Sequence, residues 1–174
     1  AMTTMFEDFE AYSTGNIVPN CWVRLVPATS AGNQTITTTT PASGVRNIYQ
    51  YASSTANPII VVLPEFSNID AGTHWLRLSA RVTSAPGTLS VGYVTDATDY
   101  DSFVLIEDLT ITNTTYTTDS EYTVVVPNTT PAGARLAIKN AADGKSYYWD
   151  DVYWEALPAC LWPTALNITA VDAT

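Results

Sequence analysis

The sequence predicts an all-β protein, a two-sheet antiparallel β-sandwich of jelly-roll type, and three observations lead there. Only 14% of the 174 residues are charged, while Thr, Ser, Asn, Tyr and Val are plentiful, a composition of sheets and turns and not of helices built from Glu, Lys and Leu. Short β-rich segments alternate with clusters of Gly, Pro, Asn and Asp along the chain. No window carries a convincing 3.6-residue apolar period. With 46% hydrophobic residues, a chain of this length buries roughly two-thirds of its unfolded surface and supports one full core.

The segments, in order, are CWVRLVP (21–27), NIYQYA (47–52), PIIVVLPEF (58–66), HWLRLSARV (74–82), TLSVGYVTD (88–96), FVLIEDLTI (103–111), EYTVVVP (121–127), ARLAIKN (134–140) and SYYWDDVYWE (146–155). Roughly ten strands at such intervals make a sandwich or jelly roll. A short helical turn fits the loop at 97–102. Alternation assigns the faces. In HWLRLSARV, Leu76, Leu78, Ala80 and Val82 point to the core, and Trp75, Arg77, Ser79 and Arg81 point away. In ARLAIKN, Leu136 and Ile138 point in, leaving Arg135, Ala137 and Lys139 outside, so the outer face is locally basic. In SYYWDDVYWE an unbroken period of two sends Tyr148, Asp150, Val152 and Trp154 inward and Tyr147, Trp149, Asp151, Tyr153 and Glu155 outward.

An inward Asp150 among apolar neighbours costs several kcal/mol unless it meets a cation or a set of donors. Near the other end, FEDFE crowds Glu7, Asp8 and Glu10 together. A calcium ion takes roughly six to eight oxygens from carboxylates, carbonyls and water in loose geometry, so a structural Ca2+ would satisfy both clusters and close the first strand onto the last. The other reading is that Asp150 accepts backbone hydrogen bonds while the remaining acids are solvated.

The opening FEDFE with PNCW, the closing YYWDDVYWEALPAC, and the internal VVLPEF and LSVGYVTDATDYDSFVLI resemble the MAM-like jelly-roll modules of secreted Bacteroidetes proteins, including cleaved-adhesin and choice-of-anchor types. The likeness runs over about residues 5–160. The same ends are also similar to family 4 and 22 carbohydrate-binding modules, which share a Phe-Glu opening followed by Trp and a closing Tyr-x-Asp-Asp/Asn-Val strand. The resemblance implies a jelly roll with a structural calcium ion bound by the early acid and the late aspartate. By position Glu10 matches the Phe-Glu opening and Asp150 the first Asp of the closing strand, and the doubled FEDFE leaves Glu7 and Asp8 in an open register. Residues 1–160 form the module, and 161–174, which resemble the opening of a fibronectin type III domain, are a linker or the start of a following domain.

Two cysteines, Cys21 and Cys160, are either a disulfide or two buried thiols. The Lys-poor, Thr-rich character points to a secreted or cell-surface protein and favours the disulfide, whose long loop would add on the order of 4 to 5 kcal/mol. True MAM domains have four cysteines, so this pairing is not inherited from them. A net charge of -10 repels nucleic acid and anionic membranes, and no apolar run approaches the ~20 residues of a membrane span.

Catalysis finds little support. Glycoside hydrolysis needs two carboxylates facing one cleft, and alternation turns Asp150 and Asp151 to opposite faces. Asp96, Asp99, Asp101, Glu107 and Asp108 read as solvated loop and edge acids, and DATDYD (96–101) lacks the glycine and terminal glutamate of a calcium loop. His74, the sole histidine, reads as structural, and neither GxSxG nor HExxH occurs. The expected function is therefore a non-catalytic carbohydrate-binding module. Its ligand is a neutral or anionic polysaccharide, stacked on the outward Trp75, Tyr147, Trp149 and Tyr153 and hydrogen-bonded by Arg77 and Arg81. It is expected to be a monomer tethered to neighbouring domains. The alternative is an adhesion or spacer module that contacts proteins or separates domains and binds no glycan.

Overall fold

The computed structural model describes residues 1–159. These form eleven strands: β1 (Met5–Glu7), β2 (Val23–Leu25), β3 (Asn33–Thr37), β4 (Asn47–Tyr51), β5 (Ile60–Val62), β6 (His74–Val82), β7 (Gly87–Val94), β8 (Phe103–Ile111), β9 (Glu121–Val125), β10 (Arg135–Asn140) and β11 (Ser146–Ala156). They pair antiparallel in two sheets. One runs β3-β4-β11-β6-β9, with β1 added alongside β11, and the other β2-β5-β10-β7-β8. The jelly-roll sandwich expected from the sequence is the fold observed. A 3-10 turn at Tyr100–Ser102 sits in the loop where a helical turn was expected.

The inner faces follow the alternation on β6 and β10. Leu76, Leu78, Ala80 and Val82 are buried against Leu136 and Ile138 from the opposite sheet in one cluster. The short β3 is absent from the β-rich segments because its five residues carry a single large apolar side chain, Ile36, too few to show an alternating apolar pattern. It is held at the sheet edge by β4, with Gln34 and Ile36 turned inward.

The outward basic residues of HWLRLSARV and ARLAIKN do not share a face. Arg77 and Arg81 lie on the six-stranded sheet and Arg135 and Lys139 on the other, so the sandwich separates the pairs. Arg135 donates to the carbonyls of Leu63 and Cys21. Lys139 lies 4.2 Å from the centre of the Phe103 ring.

The largest departure from the sequence reading is on β11. Three steps along β11, from Asp150 to Tyr153, oppose two along β6, from Ser79 to Arg77. This β-bulge places Asp151 at φ +48°, a left-handed conformation that aspartate tolerates better than most residues. One extra residue shifts the alternation by one, so Tyr147, Trp149, Asp150, Val152 and Trp154 are all buried. Tyr147 and Trp149, expected outside, belong to the core, and Tyr148, expected inside, faces outward. Trp149 packs edge-on against Phe9, with ring centres 5.7 Å apart, and donates its indole N–H to Gln50 Oε1 at 2.8 Å.

Cys21 is exposed with φ +67°. Cys160, the expected Cys21–Cys160 disulfide and the tail at 161–174 lie outside the described residues.

Candidate functional site

The outer face of the six-stranded sheet carries two similar stacks. In the first, cross-strand register sets Tyr49 of β4, Tyr148 of β11 and Arg81 of β6 side by side. The tyrosine ring centres are 5.3 Å apart, and the Arg81 guanidinium lies 4.0 Å from the Tyr148 ring and 5.6 Å from that of Tyr116. In the second, Phe6 of β1, Tyr153 of β11 and Arg77 of β6 are in register. Phe6 stacks on Tyr153 at 4.5 Å, and Arg77 lies 3.9 Å over the Tyr153 ring. Four residue steps along β6 separate the arginines, about 13 Å of strand.

Between them Ser79, Asp151 and Ala42 line an open cleft of about 330 Å³, closed on one side by Tyr116, Thr117, Thr118 and Ser120 from the β8–β9 connection. Beyond the second stack, Glu155 Oε1 accepts from Trp75 Nε1 at 3.0 Å and Arg77 Nε at 2.6 Å, and Arg77 also pairs with Glu121 at 2.7 Å. These bonds hold Glu155 below the usual carboxylate range and Arg77 above the usual guanidinium value. The structure thus gathers Trp75, Arg77, Arg81 and Tyr153 from the expected binding residues on one face, and leaves Tyr147 and Trp149 in the core. It adds Phe6, Tyr49 and Tyr148, which meet their neighbours through cross-strand register, and Tyr116 from the β8–β9 connection.

Two of the four acids proposed for a metal, Glu10 and Asp150, reach one loop. Asp150 Oδ2 accepts from the amides of Ala42 (2.8 Å) and Ser43 (3.2 Å), and its Oδ1 from that of Asp151 (2.8 Å). Glu10 Oε1 accepts from Val45 (2.8 Å) and Arg46 (2.7 Å), so Glu10 and Asp150 clasp the β3–β4 loop from two sides. Gly44 has φ +56°, and a Cβ there would lie 2.4 Å from Glu10 Oε1. Phe9 is buried and Phe6 exposed, so the second Phe-Glu of FEDFE sets the register. Glu7 and Asp8 accept from the amides of Phe9 and Glu10 in their own turn.

Burial pushes Asp150 up to about 7, the Asp151 charge adding to the rise and the three amides opposing it. Among the described residues no cation pairs with Asp150, and no group of three or more His, Cys, Asp or Glu side chains is placed to hold a metal. Carboxylate oxygens are of the hard donor type that calcium takes, and those of Glu10 and Asp150 already accept backbone amides. The shortage of side-chain ligands would leave backbone carbonyls and water to complete a calcium shell.

No protein-family model and no curated protein matches the chain. Solved structures do. The K3 cleaved adhesin domain of Lys-gingipain from Porphyromonas gingivalis aligns with TM-score 0.58 and 21% identity over 87% of this chain and 97% of that one. The C-terminal family 22 carbohydrate-binding module of Clostridium thermocellum Xyn10B aligns with TM-score 0.54 and 13% identity over 91% and 95%. The fold is that of cleaved-adhesin and family 22 modules. A xylan-binding domain of Paenibacillus barcinonensis Xyn10C extends the likeness, with TM-score 0.54 and 11% identity over 92% of this chain and 99% of that one. At these identities the cleaved-adhesin and family 22 likeness is one of fold.

Proposed function

We propose that this domain is a non-catalytic carbohydrate-binding module of a secreted multidomain protein, gripping a polysaccharide across the outer face of its six-stranded sheet. The carrying observation is the polar cleft between the two aromatic–arginine stacks. The faces of the Tyr148 and Tyr153 rings lie between an arginine and a second ring, so these tyrosines would offer a sugar their outer edges and hydroxyls, and Ser79, Thr117 and Asp151 offer hydroxyl and carboxylate partners for sugar hydroxyls. Asp151 is the one carboxylate among the described cleft-lining residues, so the acid pair of a glycoside hydrolase is missing there. Xylan, the polysaccharide bound by the Paenibacillus domain of the same fold, is the first ligand to test.

In affinity electrophoresis the wild-type domain should be retarded by a xylan-containing gel. Tyr148→Ala and Tyr153→Ala should each weaken retention about fivefold to tenfold, for a loss of about 1 kcal/mol per ring. Normal mobility across neutral and anionic glycans would overturn the proposal.

A structural calcium ion belongs to the same reading. Glu10 and Asp150 would hold it, and its charge would offset that of the buried Asp150 carboxylate. A ligand that binds only the native state raises stability with its concentration, so the melting temperature should rise in millimolar calcium and fall in chelator. Identical melting curves would remove the ion from the account and leave the amide clasp as the sole support of the loop.

The adhesion reading draws on the exposed Val104 and Leu105 of β8, a strand at the edge of the second sheet, since edge strands offer unpaired backbone to protein partners. Silence on glycans, with binding to a protein lost in Leu105→Lys, would favour it.

A further inference from the structure

The two stacks share their geometry and differ in charge balance. Arg77 is neutralised by Glu155 and Glu121. Arg81 has no carboxylate within salt-bridge distance among the described residues, and its Nε is buried without a partner. Only 8% of Arg81 is exposed. A buried cation without a counter-charge is costly, and the adjacent tyrosine rings answer only part of that demand. The nearby carboxylates are committed elsewhere: Asp150 to the loop amides and Asp151 to Ser43 Oγ at 2.7 Å. In a chain of net charge -10, an uncompensated guanidinium 5.6 Å from the ring of the cleft-lining Tyr116 is an exception to the electrostatic pattern.

The planar fork of a guanidinium matches a carboxylate in bidentate geometry. We infer that Arg81 marks a subsite for a carboxylate-bearing sugar, so that the module takes a uronate-substituted polysaccharide in preference to its neutral counterpart. This rests on the glycan-binding reading above. Arg77, to which the sequence assigned the same chemistry, is excluded because its own carboxylates already occupy it.

The test compares two probes: a uronate-bearing xylan, and the same polymer with its carboxylates reduced to alcohols. Binding is measured at 0.15 M salt, where repulsion from the acidic body is screened beyond about 8 Å. The wild type should bind the uronate polymer about tenfold more tightly than the reduced one, as expected for one charge-assisted contact. Arg81→Gln should bind both polymers alike, at the level of the reduced one. Arg81→Lys should keep part of the preference, and Lys139→Gln, on the opposite sheet, all of it. If Arg81→Gln fails to fold, the wild-type ratio and the Lys variant decide. Equal binding of both polymers by the wild type, or a preference that survives in Arg81→Gln, overturns the inference and leaves the glycan reading standing. Binding of neither polymer overturns both.

Discussion

The closing strand contains two similar triplets, Tyr147-Tyr148-Trp149 and Val152-Tyr153-Trp154, separated by Asp150 and Asp151. In each, the outer members are buried and the central tyrosine faces outward. Each central tyrosine carries an arginine of β6 on one side and an aromatic ring on the other: Arg81 and Tyr49, then Arg77 and Phe6. Five positions separate the tyrosines, so strict alternation would put them on opposite faces, and the one-residue bulge brings them into phase. The adjacent aspartates are the means. Asp151 adopts the left-handed bend, and Asp150 turns inward to take the amides of the β3–β4 loop. A paired acid in an aromatic strand is here the signature of a bulge that builds a two-stack face.

The comparison can be broken most severely at the buried members. Trp149→Ala removes a side chain with no exposed surface and leaves Gln50 Oε1 without its donor, so a loss of about 3 to 5 kcal/mol is expected in denaturant titrations. A near-neutral result would return Trp149 to the surface. Asp150→Ala strands three amides and should cost about 3 kcal/mol. Its glycan binding should fall because Asp151 and Tyr153 lose their phase, and a spectrum and affinity like wild type would show that the bulge stands without it. Gly44→Ala puts a Cβ against Glu10 in a left-handed turn, for about 1 to 3 kcal/mol by thermal unfolding. The smallest stability effects belong to Tyr148→Ala and Tyr153→Ala, each under about 1 kcal/mol, where binding and not melting should change.

Strand composition and turn spacing made the fold class legible, and alternation placed every residue of β6 on its correct face. The same rule failed on β11 because a period-two count assumes an unbroken ladder, and the two aspartates between aromatic triplets were read as metal ligands or as hydrogen-bonded and solvated acids, neither of which marks a bulge. Glu10 and Asp150, paired in the sequence as metal ligands, both accept from amides of the β3–β4 loop, and a run of loop amides leaves no mark in side-chain chemistry. Phe6, Tyr49 and Tyr116 escaped notice for a different reason: their neighbours on β11 and β6 are fixed by inter-strand register and loop path, neither of which is written in any one segment.

The central claim is that ligand binds across the outer face of the six-stranded sheet, and backbone chemical-shift mapping of the 15N-labelled domain titrated with xylohexaose tests it most directly. The account predicts progressive shifts at Ser79, Tyr116, Tyr148, Asp151 and Tyr153, with β10 unchanged. Shifts confined to β10 and the loop at 95–102, with the Tyr148 and Tyr153 amides unmoved, would contradict it.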